Sequence, residues 1–119
     1  MAYKRLSSYL RTFRKRSGLT QKELAFLIGA KSGAQLSRFE RLKRLPPTEA
    51  FIALIIIFKK APHELFPHLH DKLLKLVHLR ARKLHEELQG DGHMATKDKL
   101  DALEEVLIIK NEDSNPPQP

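Results

Sequence analysis

In SGAQLSRFERLKR (32–44), side chains able to make directed hydrogen bonds recur every three residues, as Ser32, Gln35, Arg38 and Arg41. A helix through them sets this series along an outward strip. Their chemistry is recognition of polar edges and of anions. A guanidinium matches the paired acceptors of guanine in the major groove of a duplex, and an amide matches the acceptor and donor of adenine. Arg38 is therefore the strongest reader of a base, with Gln35 beside it. Lys31, Arg41, Lys43 and Arg44 surround that strip and suit phosphate. Gln21 and Lys22 open the preceding helical segment, where unpaired backbone N–H groups favour anions. Arg14, Lys15 and Arg16 form one more basic cluster, read as a solvated face rather than as contacts to a nucleic-acid backbone.

Other chemistry finds little support. No Ser stands in a nucleophile elbow, no glycine-rich loop follows a strand, and no paired carboxylates are framed by apolar residues. There is no Cys, so neither a disulfide framework nor a thiolate metal site can form. Six His are present, including HLH (68–70), His78 and His85, but no ligand set at a standard metal spacing completes them. The expectation is no enzyme, no cofactor and no metal.

The charge is uneven. Net charge is +8, yet residues 1–44 carry 12 Lys and Arg against 2 Glu, while residues 90–119 carry 3 against 7 Asp and Glu. The positive field belongs to the N-terminal third, which points to a polyanion such as double-stranded DNA. The longest apolar run, FIALIIIF (51–58), is too short to cross a bilayer, and the basic N-terminal segment lacks the apolar core of a signal peptide. A cytoplasmic protein without membrane partners is the expectation.

Helices must carry these residues, because every periodic segment has helical spacing and none alternates as a strand would. The spacing predicts a first helix from about Leu6 to Arg16, with Leu6, Leu10 and Phe13 inward and Gly18 as its stop. Thr20 and Glu23 form a T-x-x-E capping box. The helix behind it turns Leu24, Leu27 and Ile28 inward and ends at Gly29. AKSG (30–33) is a connection, and a third helix covers about Ala34 to Leu42 with Leu36 and Phe39 inward. Pro47 suits the first turn of a fourth helix, EAFIALIIIF. A short turn, HELF, a long amphipathic helix over His68 to Gln89 and a last helix over about Thr96 to Ile109 follow. NEDSNPPQP (111–119) has the composition of a disordered tail.

Two short helices joined by a tight glycine turn form a helix-turn-helix, in which the second helix can enter a major groove. Ala25 lets the pair approach closely. The sequence SGLTQKELAFLIGA…QLSRFERLKRLPP followed by HELF resembles the Cro/C1-type (XRE-like) helix-turn-helix repressors over roughly Leu6 to Phe66. The resemblance implies an all-α fold: a five-helix, lambda repressor-like DNA-binding domain (1–67), here with two additional C-terminal helices (68–110). It implies a dimer on a palindromic operator, a phosphate contact from Gln21 and an internal, structural role for Glu40. The chain departs from the pattern by one extra residue between Gly29 and Leu36, and Gly33 gives that turn a second glycine.

The fourth helix is apolar almost all round, so Ile52 and Ile56 call for cover. The long helix offers a seam of Leu74, Val77, Ala81, Leu84 and Leu88, and the last helix offers Leu100, Leu103 and Leu107. Packing within the chain and pairing of two copies are equally compatible with these strips. The functional expectation is a sequence-specific transcription regulator, a repressor acting as a homodimer through residues 68–110. The alternative is an antitoxin whose C-terminal helices neutralise a protein partner while DNA binding serves autoregulation.

Overall fold

The structure, a computed structural model, describes residues 8–110. Seven helices follow one another, with no strand among those residues: α1 (Leu10–Arg16), α2 (Gln21–Ile28), α3 (Gly33–Glu40), α4 (Thr48–Phe58), α5 (Pro62–Leu65), α6 (Pro67–Leu88) and α7 (Met94–Leu107). The all-helical expectation is correct. The first helix begins at Leu10, later than the expected Leu6: Ser8 and Tyr9 donate their backbone N–H groups to Glu40 O and Leu65 O instead of lying in a helix. Leu6 and the expected tail, 111–119, lie outside the described residues. Two compact units divide at His70/Asp71, inside α6.

The first unit gathers one core from all of its helices. Leu10 and Phe13 of α1 meet Leu24, Ala25 and Ile28 of α2, Leu36 and Phe39 of α3, Ala50 and Leu54 of α4, and Leu65 and Phe66 at α5. Each fully buried Leu contributes about 1.5–3 kcal/mol. Ala25 is buried, as its expected place at the close approach of the helices requires, but Leu27, expected inward, is 51% exposed. Residues 24 and 28 lie one turn apart, and 25 and 27 flank them on opposite sides. The small side chain is the one that lets α3 and α4 close on α2.

Helix ends follow local rules. Thr20 Oγ1 accepts the Glu23 N–H at 3.1 Å and Glu23 Oε1 accepts the Thr20 N–H at 2.9 Å, so the capping box is made as expected. The Thr20 N–H, and then its hydroxyl, hold the Glu23 carboxyl below its ordinary pKa. The box's contribution is therefore present above the ordinary Glu value and lost as pH falls through the lowered one. Gly18 and Gly29 stop α1 and α2 with φ of 77° and 76°. Pro47 precedes α4 as its cap instead of sitting in its first turn.

Among the described residues, two that are not glycine also take the left-handed region, Leu42 (φ 52°) and Lys59 (φ 53°). Leu42 packs against the core, which offsets the strain. Lys59 is exposed and caps α4 without such compensation. A side chain there costs about 1–2 kcal/mol, part of which glycine returns as unfolded-chain entropy. Lys59→Gly is expected to stabilise the protein by about 0.5–1 kcal/mol, read as a higher urea midpoint at unchanged slope. A midpoint at or below that of the wild type would contradict this geometry.

In the second unit, the part of α6 from Asp71 and α7 form a helical hairpin. His78 Nε2 lies 3.0 Å from the Val106 carbonyl oxygen, and His85 Nε2 lies 3.2 Å from Glu104 Oε1. These two His thus join the helices of the hairpin. At the turn, Asp91 accepts from His93 and from the Thr96 hydroxyl, and its carboxyl is held below its usual value chiefly by the His93 side chain.

Candidate nucleic-acid interface

The pivot of the basic surface is α3, and both of its ends are built by identifiable residues. At its start Ser32 is the cap, its Oγ accepting the Gln35 N–H at 3.2 Å. Gln35 reaches back, and its Oε1 accepts the Lys31 N–H at 2.7 Å. The helix therefore begins at Gly33, earlier than the spacing predicted. Gly33 is not the loosening residue its type suggests. A Cβ there would lie 3.3 Å from the Lys22 backbone nitrogen and 3.5 Å from Gln21 atoms. The bare backbone brings the first turn of α3 against the start of α2.

At its other end α3 closes with the hydrogen bonds of a Schellman motif. The Leu42 N–H donates to Phe39 O at 3.1 Å and the Lys43 N–H to Arg38 O at 2.9 Å. Leu42 supplies the left-handed residue where glycine is usual. That fold-back sets Lys43 and Arg44 beside the last turn of α3.

Beneath the helix runs a buried polar network. Glu40 is 4% exposed and Arg14 is 7% exposed. Arg14 Nε donates to Glu40 Oε2 at 2.6 Å, its Nη1 donates to Leu19 O at 2.9 Å, and Gln21 Nε2 donates to Glu40 Oε1 at 2.9 Å. Glu40 has the internal place that the resemblance implied. Arg14 does not belong with Lys15 and Arg16 on the solvated face: it is the buried counter-ion of Glu40. Sequence pattern held no local sign of this, since the partners are 26 positions apart.

The nine expected contact residues separate by what their side chains already do. Lys22, Lys31, Arg38, Lys43 and Arg44 are exposed, and their cationic groups have no partner among the described residues. Ser32 and Gln35 are committed to the start of α3, which leaves the Gln35 amide NH2 free but uses its oxygen. Gln21 spends one amide hydrogen on Glu40. Arg41 Nε reaches its own helix at Ser37 O, 3.4 Å away. The S-x-x-Q spacing of Ser32 and Gln35 is a helix-start signature, and it could have flagged these two as builders of the turn. A groove of about 250 Å³ lies beside them, with Lys31 and Arg44 among its lining residues and Phe39 and Ala50 supplying apolar surface.

Fold and surface together define a DNA-binding helix-turn-helix domain: two short helices packed through Ala25, the second pinned by Leu36, Phe39 and Glu40 while its opposite side carries Arg38. Residues 10–65 match the Helix-turn-helix family, of the Cro/C1-type, XRE-like kind. No curated protein and no solved structure matches the chain. Among the described residues no helix is long and apolar enough to cross a membrane, and no group of three or more His, Asp or Glu could hold a metal ion.

Proposed function

We propose that the protein is a sequence-specific transcription regulator, a repressor that binds DNA as a homodimer through residues 68–110. The observation that carries this reading is the exposed, unpartnered guanidinium of Arg38 on α3, a helix held to the core from behind and flanked by Lys31, Lys43 and Arg44. In this reading Arg38 reads a guanine, and Gln35 contributes its free amide NH2 beside it. Lys22, Lys31, Arg41, Lys43 and Arg44 hold phosphates. Gln21 presents its second amide hydrogen to a phosphate from a position that Glu40 fixes, and the Ser32 hydroxyl hydrogen is free to do the same. Selection from a pool of random duplexes tests the reading. Enrichment of a palindromic site supports it, and equal retention of all sequences would point to non-specific binding.

The phosphate contacts have their own test. Lys43→Ala and Arg44→Ala should each weaken binding to every duplex alike and reduce the slope of log K against log salt by about one unit. A slope equal to that of the wild type would remove the residue from the interface.

The acidic end of the chain, 3 Lys against 7 Asp and Glu over residues 90–119, favours a second reading as an antitoxin. Co-purification of a stoichiometric basic protein with the native chain would support that alternative over the regulator.

A further inference from the structure

Helix α3 turns outward a strip other than the one that a spacing of three residues suggests. Its buried residues are Leu36, Phe39 and Glu40, at 0%, 1% and 4% exposure, and Gly33 lies against the start of α2. At 3.6 residues per turn, the side opposite them belongs to Ala34, Arg38 and Arg41, at i, i+4 and i+7. Ala34 and Arg38 are both exposed, and the helical repeat sets them within about 40° of one another around the axis. Gln35 stands on the flank. It is half-buried and lines the groove that Lys31 and Arg44 share.

The polar groups at the start of α3 are largely spent on the helix itself. Ser32 Oγ accepts the Gln35 N–H, and Gln35 Oε1 accepts the Lys31 N–H at 2.7 Å. A paired contact with adenine needs both a donor and an acceptor, and Gln35 has only its donor left. Gly33 has no side chain to offer. What the first turn of α3 presents one turn from Arg38 is therefore a methyl group, that of Ala34. In the major groove a methyl has one apolar counterpart, the C5-methyl of thymine. Against the donors and acceptors of the other base edges it would displace water and return no hydrogen bond.

We propose that Ala34 is a specificity-determining residue, its methyl packing on the C5-methyl of a thymine close to the guanine that Arg38 reads. The inference rests on the regulator reading above and adds a second base to it. Four residues of helix span about 6 Å, and successive bases of one strand lie about 3.4 Å apart. The thymine therefore belongs within about two base pairs of that guanine.

Uracil in place of thymine tests this, because it removes that methyl and nothing else. In the duplex enriched by selection, each thymine is replaced singly, and the full chain is titrated at one fixed salt concentration. Arg38→Ala identifies the guanine. One thymine near it in each half-site should be sensitive, with uracil lowering affinity about fourfold, the worth of one buried methyl. Ala34→Gly should bind the thymine and uracil duplexes equally. Ala34→Gln puts a good helix former at this exposed position, and a fresh selection with it should keep the guanine and exchange the thymine for adenine. The proposal falls if no thymine near the guanine is sensitive to uracil, or if Ala34→Gln selects the wild-type site unchanged; in either case Arg38 keeps its role. Sensitivity that persists in Ala34→Gly would assign the thymine to another side chain and also overturn the proposal. Equal retention of all duplexes by the wild type would overturn the regulator reading, and this inference with it.

Discussion

Arg14→Met is expected to destabilise the protein by about 3–5 kcal/mol, because it leaves a buried carboxylate without its counter-ion. Glu40 is 4% exposed, and its Oε2 lies 2.6 Å from Arg14 Nε. In the variant its remaining side-chain partner is the neutral amide of Gln21. A cost of that size is a large share of the 5–15 kcal/mol by which domains are stable. The urea midpoint should fall steeply with little change in slope. Arg14→Met/Glu40→Leu should recover most of the loss, since removing both charges leaves none stranded. It should still bind DNA less well than wild type, because Gln21 loses the acceptor that orients it. A single variant within 1 kcal/mol of wild type would mean that the pair is solvated, contrary to the geometry described here.

Arg38→Ala is expected to lower affinity for the preferred duplex by about 1–3 kcal/mol, roughly 5- to 150-fold, at one base pair. Affinity for scrambled duplexes should fall much less. Arg38 is exposed on α3, and Leu36 and Phe39 on the same helix are buried at 0% and 1% exposure. Removing its side chain therefore leaves the core intact, and the fold should be unchanged by circular dichroism. The comparison is a competition titration of preferred against scrambled DNA at one fixed salt concentration. A wild-type ratio between the two duplexes would show that Arg38 reads no base, and the reader would then have to be sought elsewhere on α3.

What the amino-acid order determined by itself is the part governed by short-range rules. Helical character, the Thr20–Glu23 box, and the stops at Gly18 and Gly29 depend on residues within four or five positions of one another, and these are as expected. The helix-turn-helix pair follows from them, and with it the class of protein. Other features depended on which of two neighbouring strips the rest of the molecule covers. Leu27, expected inward, is exposed because α3 and α4 approach α2 on the side of the small Ala25. On α6 the expected seam divides: Leu74, Ala81 and Leu88 are covered, on the side where His78 and His85 bond to α7, and Val77 and Leu84 turn to solvent. The buried partnership of Arg14 with Glu40 and Gln21 joins three helices. Basic clusters look alike in sequence whether water or a carboxylate lies beside them, so Arg14 could not be told from Lys15 and Arg16. Ser32 and Gln35 show the same limit at shorter range, for a polar side chain beside a helix start can face a ligand or its own backbone. Gly33 is the clearest case. Its residue type signals freedom, and the fold uses it for contact, because only the packing of α3 on the start of α2 brings a Cβ at that position to 3.3 Å from the Lys22 backbone nitrogen.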